Sequence, residues 1–139
     1  MPETKPLNWT PKAGVGYAVT RRADGGMTLT FTDLSEATMS DWRAFALEHL
    51  LDSDRLTRNL YDLRAVREIP EKAVKMAVEV DSDPATRNLR VAVLVANEET
   101  RAAIIKIAAG ATGSGAAIRI FTNPADAEAW LTKPLDQIV

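Results

Sequence analysis

The stretch "AIRIFTNPADAEAWL" (residues 117–131) carries most of the information about the fold, because it joins a strand to a helix through a short turn. Ile118 and Ile120 lie on one face of a predicted strand. Asn123 is typical of a helix N-cap, and Pro124 is favoured at the first helical position. A strand that gives way so abruptly to a helix is typical of an α/β protein.

The remainder of the chain repeats this alternation. An early hairpin is predicted at 16–32, with its turn at Asp24-Gly25-Gly26. Further elements are predicted as a helix at 37–52, a strand at 55–63, a helix at 67–80, a strand at 89–96 and a helix at 98–110. The order is therefore ββαβαβαβα, which favours parallel strands joined by right-handed crossovers. We expect four parallel strands in sequential order, with the first strand antiparallel beside the second.

Side-chain patterns predict how the sheet is covered. Thr28, Thr30 and Thr32 alternate with apolar residues, which indicates one polar sheet face and helices gathered mainly on the other. Trp42 and Trp130 lie on apolar helical stripes and are predicted to be buried.

Helix boundaries are predicted from capping residues. Thr38 is the expected N-cap of the first helix, with Asp41 completing a capping box. Pro70 is expected near the first turn of the second helix, and Asn97 is expected to cap the third, which stops at Gly110.

Composition limits the classes of function. The chain has 139 residues, a net charge of −2 and no cysteine. The charge argues against a generic nucleic-acid binder, and the missing cysteine excludes disulfides and thiolate metal sites. No signal peptide and no transmembrane segment are predicted, so a cytoplasmic protein is expected. Residues 1–14 are predicted as a flexible lead-in, 15–133 as a single domain and 134–139 as a C-terminal tail.

Catalytic and cofactor signals are weak. His49 is the only histidine, and it lies on an apolar helix face without an identifiable catalytic partner. "GATGSG" (110–115) follows a helix and precedes a strand, the reverse of a phosphate-binding loop. Asp81 and Asp83 lack the spacing of a calcium loop. We therefore predict no catalytic residue, no cofactor and no metal. Three arginines in predicted strands are interpreted first as ordinary solvated residues and alternatively as lining the sheet face away from the helices, namely Arg58, Arg90 and Arg119.

From about residue 15 to residue 132, the chain resembles a known family in four sequence motifs, namely "DGGMTLTF", "DWRAF", "YDLRAV" and "RIFTNPADAEAWL". Over this range it resembles the SpoIIAA-like branch of the STAS superfamily, which is more distantly similar to Sec14-type lipid-binding domains. The resemblance implies a single-domain SpoIIAA-like (STAS) α/β fold with a five-stranded mixed sheet and four helices.

The resemblance also implies a phosphorylation switch that this sequence lacks. In the sporulation-type members, a serine follows the strand-ending aspartate, which Asp62 matches here. Residues 63–75 contain no serine, threonine or tyrosine. Glu68 and Glu71 stand roughly where the hydroxyl would be. They are interpreted first as favourable charges at a helix N-terminus, and alternatively as a permanent mimic of the phosphorylated state.

The same loop is the predicted partner site, because ligands of open α/β sheets bind at the carboxyl ends of strands. The predicted partner-binding residues are Asp62, Arg64, Arg67, Glu68 and Glu71, and the alternative interpretation of this segment is an ordinary solvated connection. The favoured function is a non-catalytic cytosolic regulatory or protein-interaction module whose partner is a regulatory protein. A homodimer is compatible with the sequence, and nucleic acid is not an expected partner. The alternatives are a Sec14-like binder of a small apolar ligand or lipid, and an enzyme of unrecognised class.

Overall fold

Five strands and four helices form the domain in this computed structural model. The structure describes residues 13–22, 26–46, 57–67, 69–81, 89–110 and 117–133. In chain order the elements are β1 (Tyr17–Arg21), β2 (Met27–Phe31), α1 (Glu36–Phe45), β3 (Thr57–Asp62), α2 (Glu71–Asp81), β4 (Leu89–Leu94), α3 (Glu98–Gly110), β5 (Ala117–Phe121) and α4 (Pro124–Leu131). This is the predicted ββαβαβαβα order.

The sheet has the strand order β1-β2-β3-β4-β5. β1 is antiparallel to β2, and every later neighbour is parallel. Both the sequential order and the single antiparallel edge confirm the prediction. Each helix follows the carboxyl end of a strand, so the loops that enter the four helices gather at one edge of the sheet.

Two apolar clusters hold the helices on opposite faces of the sheet. On one face, helices α1, α2 and α3 pack over a large core that includes Leu29, Phe31, Trp42 and Val93. On the other face, α4 packs over β3, β4 and β5. Its cluster contains Leu60, Ala92, Leu94, Ala127, Trp130 and Leu131. The helices therefore gather mainly on one side, as predicted, and only α4 crosses to the other side.

The threonine row lies on the face that carries α4. Thr30 and Thr32 are exposed and Thr28 is half-buried, which confirms a polar face over β1 and β2. Arg22 links this half of the sheet to α4 by donating to both carboxylate oxygens of Glu128, at 2.7 and 2.8 Å.

The predicted cap of α1 is wrong. Ser35 is the N-cap, and its side chain accepts a hydrogen bond from the Thr38 backbone N–H at 3.3 Å. Thr38 is fully buried inside the first turn, where its hydroxyl serves a tertiary contact described below. Asp41 accepts a hydrogen bond from the Tyr17 hydroxyl at 2.6 Å instead of closing a capping box.

The other caps follow the sequence. The Asn97 side chain accepts the Thr100 backbone N–H at 2.8 Å, and the Asn123 side chain accepts the Ala125 N–H at 2.8 Å. Pro70 stands immediately before α2.

Two of the three strand arginines, Arg58 and Arg90, are not ordinary solvated residues. Arg58 is half-buried and Arg90 is 1% exposed, and both donate to backbone carbonyls at the end of α4. Arg119 is exposed and lies 5.7 Å from the Trp130 ring centroid. The row therefore lies on the sheet face that α4 covers.

Several predictions concern residues outside the described ranges: the lead-in through residue 12, most of the hairpin turn, His49, Glu68, Asp83, most of "GATGSG" and the tail. Within the described ranges, no helix combines the length and hydropathy that crossing a membrane requires.

Candidate functional site

An open groove lies at the carboxyl ends of β2 and β3, between the loops that lead into α1 and α2. Its volume is about 400 Å³. It is lined by Thr32, Asp33, Leu34 and Ser35 on one wall and by Ala65, Val66, Arg67 and Pro70 on the other. Side chains from neighbouring loops thus converge at the edge where open α/β sheets bind their ligands.

Asp33 is the charged residue of the first wall. Its Oδ1 accepts the Ser35 backbone N–H at 2.9 Å and the Thr38 hydroxyl at 2.6 Å. These bonds, the Thr38 hydroxyl first, lower the pKa of Asp33 below its ordinary value of 3.8. The carboxylate is therefore ionised and held in place at neutral pH.

The start of β1 locks this wall to α1. Besides donating to Asp33, the buried Thr38 hydroxyl accepts the Gly16 backbone N–H at 2.8 Å. A Cβ added at Gly16 would clash with the Asp33 carboxylate, so a larger residue at this position would displace that side chain. The wall is consequently fixed by tertiary contacts as well as by the helix cap.

The second wall rests on the sheet core. Leu63 and Val66 are both buried, and the Leu63 N–H donates to the Leu94 carbonyl of β4 at 2.9 Å. The Val66 N–H donates back to the Leu63 carbonyl at 3.0 Å, which closes the loop. Arg67 follows this closed loop and is exposed. Its side chain makes no hydrogen bond or ion pair with the described residues.

Asp62 and Arg64 form a tight pair beside the groove. Asp62 Oδ2 accepts Arg64 Nη2 at 2.7 Å, while Oδ1 accepts both the Nε–H at 3.0 Å and the backbone N–H at 3.1 Å. The Arg64 side chain lowers the pKa of Asp62, and Asp62 in turn raises the pKa of Arg64. The charges of Asp62 and Arg64 therefore largely neutralise each other.

Comparison with solved structures supports one fold. An uncharacterized protein from the DUF3478 family of Shewanella loihica PV-4, which has a SpoIIAA-like fold, superposes with a TM-score of 0.61. The match covers 88% of this chain and 98% of that chain, at 15% sequence identity. The fold is SpoIIAA-like. No protein-family model matches the chain, and no curated protein matches it.

Within the SpoIIAA-like fold, the predicted partner residues do not form one cluster. Asp62 and Arg64 contact each other on the sheet face of α4, because Asp62 follows the same alternation as Leu60. Arg67 lines the groove. Glu71 is exposed in the first turn of α2. Glu68 lies outside the described residues, and binding of a partner by any of them stays a prediction.

The SpoIIAA-like fold also brings in residues that the sequence analysis missed. Thr32, Asp33, Leu34 and Ser35 form the whole first wall. Their position in the sequence could have indicated a site, because these four residues connect a strand to a helix, as the loop after β3 also does. Only the strand order shows that the two loops are neighbours in space.

The described residues offer few groups for chemistry. No cluster of three or more histidine, cysteine, aspartate or glutamate side chains is placed to hold a metal ion among them. The Ser35 hydroxyl donates to the Thr38 hydroxyl at 3.0 Å, and the Thr38 hydroxyl donates to Asp33 at 2.6 Å, so both hydroxyls belong to the hydrogen-bond network of the first wall. The groove lining offers polar atoms held by hydrogen bonds, apolar groups and two opposite charges, all of which are groups that can bind a ligand.

Proposed function

We propose that this protein is a non-catalytic regulatory module that binds a protein partner at the groove between the β2–α1 and β3–α2 loops. The observation that carries the proposal is Arg67, an exposed guanidinium in the lining of the groove that has no partner among the described residues. Such a group can form charge-assisted hydrogen bonds with an incoming protein without first breaking bonds of its own.

Preorganised walls support the proposal. Asp33 is fixed by two hydrogen bonds to its Oδ1, and the loop before Arg67 is closed by the Val66–Leu63 bond. A partner that binds between rigid walls loses less free energy to ordering the site.

Regulation in this proposal does not use phosphorylation of the β3–α2 loop. Residues 63–75 contain no hydroxyl-bearing side chain. Glu71 lies in the first turn of α2, which favours its interpretation as a charge that stabilises the helix N-terminus over a phosphate mimic. The module would therefore bind constitutively, with its availability set by other means.

The apolar-ligand alternative receives less support. A lipid or apolar small molecule requires an enclosed apolar cavity, as most ligand sites bury the greater part of their ligand. The groove is open and has Asp33 and Arg67 in its lining. An enzyme stays a further alternative, although no described group around the groove is arranged for acid–base or nucleophilic catalysis.

Site-specific photo-crosslinking tests the proposal. A photoreactive amino acid at Ala65, exposed on the groove wall, is compared with the same amino acid at Ala129, exposed on α4 across the sheet. We expect one discrete crosslinked protein from Ala65 in cells of the native host, and none from Ala129. The crosslink should disappear in an Arg67→Glu variant that melts normally. Equal crosslinking from both positions, or none from Ala65, would overturn the proposal.

A further inference from the structure

The groove presents opposite charges on its two walls. Asp33 and Arg67 are both exposed, and both line the same groove. Neither forms an ion pair with any described residue, so the two charges do not neutralise each other. Of the two Asp33 carboxylate oxygens, Oδ1 accepts the hydrogen bonds from the Ser35 backbone N–H and the Thr38 hydroxyl.

The groove lining also contains apolar groups. Leu34 and Val66 lie beneath the surface at 9% and 2% exposure, and Pro70 is exposed at the end of the second wall. An apolar side chain of a partner would contact this part of the groove while polar groups reach the walls, as in most protein–protein sites with an apolar centre and a polar rim.

Two oppositely charged pairs lie near the groove, while Glu71, next to Pro70, is exposed. Lys72 Nζ lies 2.9 Å from Glu36 Oε1, and Arg64 is bonded to Asp62 at 2.7 Å. Because each pair combines a positive and a negative charge, the electrostatic potential around the groove has no single sign. Neither a uniformly acidic nor a uniformly basic partner is therefore favoured. What stands out in the lining is one anion and one cation at separate positions.

We infer that the groove binds a short extended segment of the partner protein, in which an acidic residue meets Arg67, a basic residue meets Asp33, and an apolar residue lies between them. This inference rests on the proposed function and specifies the chemistry of its partner. Opposite charges on the two walls also determine the direction of the segment, since a reversed segment would place like charges together.

Selection from a random peptide library displayed on phage tests the inference. The wild-type protein should enrich peptides that carry an acidic and a basic residue on either side of an apolar one. Asp33→Asn keeps an oxygen that can accept the bonds from Ser35 and Thr38 but removes the charge, so it should lose only the basic preference. Arg67→Glu should exchange the acidic preference for a basic one. Lys75→Glu, exposed on α2 and outside the groove lining, is the control and should leave the enriched peptides unchanged.

Affinity measurements then check the assignment of each wall. The best wild-type peptide should bind Arg67→Glu about five- to tenfold more weakly, and reversing the acidic residue of the peptide should restore binding. Enrichment without charge preference, no enrichment, or an unchanged affinity for Arg67→Glu would overturn the inference. If Ala65 crosslinks a protein in cells while the library shows no charge preference, the inference fails and the proposed function stands. If Ala65 crosslinks nothing, the proposed function itself fails.

Discussion

Arg58 and Arg90 lie directly opposite each other on β3 and β4, and both donate hydrogen bonds to the backbone carbonyls at the end of α4. Arg58 Nε is 2.7 Å from the Leu131 oxygen, and Arg90 Nη1 is 2.7 Å from the Lys133 oxygen. Burial, followed by the charge of Arg58, lowers the pKa of Arg90. The negative end of the helix dipole and the Trp130 ring, whose centroid is 5.5 Å away, offset part of that cost.

Removing the buried guanidinium should weaken the attachment of α4. We expect Arg90→Met to lower the free energy of unfolding by about 1.5–3 kcal/mol. The reason is that the carbonyl groups to which Arg90 donates would lose a charged donor. Arg58→Met should cost less, since Arg58 is only half-buried. Urea denaturation of both variants measures the difference. An Arg90→Met protein as stable as wild type would show that desolvation of Arg90 cancels its hydrogen bonds.

The side chain of Asn59 is expected to lower the free energy of unfolding. Its side chain is fully buried in β3 between Met27 and Val91, and neither Nδ2 nor Oδ1 has a hydrogen-bond partner among the described residues. Asn59→Leu has nearly the same shape without the polar atoms, so it should raise the free energy of unfolding by about 1–3 kcal/mol. Asn59→Asp is the matched control and should destabilise, because it buries a charge. A lower melting temperature for Asn59→Leu would contradict this account.

The contact between Gly16 and Asp33 should appear as an energetic coupling. Gly16→Ala places a methyl group against Asp33 Oδ2 and should displace the carboxylate from Thr38 and Ser35, at a cost of about 1–3 kcal/mol. In an Asp33→Ala background the same substitution should cost much less, because the obstructing carboxylate is gone. Equal costs in the two backgrounds would mean that Gly16 is required for another reason.

Acid should destabilise the protein through Asp33 and Asp62. Their folded pKa values are lowered, so folding favours the ionised carboxylates. This stability is fully present above the unfolded pKa, close to the ordinary value of 3.8, and is lost as the pH falls through the lower folded values. Melting curves from pH 6 to pH 2 should therefore show a smaller decline for Asp62→Asn than for wild type. An identical decline would exclude a contribution from the Asp62–Arg64 pair.

His49 is predicted to take no part in binding or chemistry. The His49→Gln variant should crosslink the same partner from Ala65 as wild type, with at most a modest loss of stability, because the sequence offers no partner for acid–base catalysis. If the crosslink disappears while the melting temperature is unchanged, His49 belongs to the site.

Local signals in the sequence were sufficient for the elements and their order. Alternation in β2, the apolar run of β4 and the caps at Asn97 and Asn123 depend on residues close together in the chain, and all of these predictions are confirmed. The prediction that Thr38 caps α1 was wrong, because the Thr38 hydroxyl bonds to the backbone of Gly16, which is distant in the sequence. Local pattern alone cannot distinguish a capping hydroxyl from one that serves a tertiary contact.

The sequence by itself determined the five-stranded α/β sheet, the burial of Trp42 and Trp130, and the absence of a hydroxyl in the β3–α2 loop. Tertiary structure decided which side chains meet. It divided the predicted partner residues between two faces, turned the strand arginines toward α4, and placed Asp33 and Arg67 in the lining of one groove. The physical reason is that periodicity fixes the direction of a side chain within its own element, whereas its neighbours depend on how loops distant in the sequence are brought together by strand pairing.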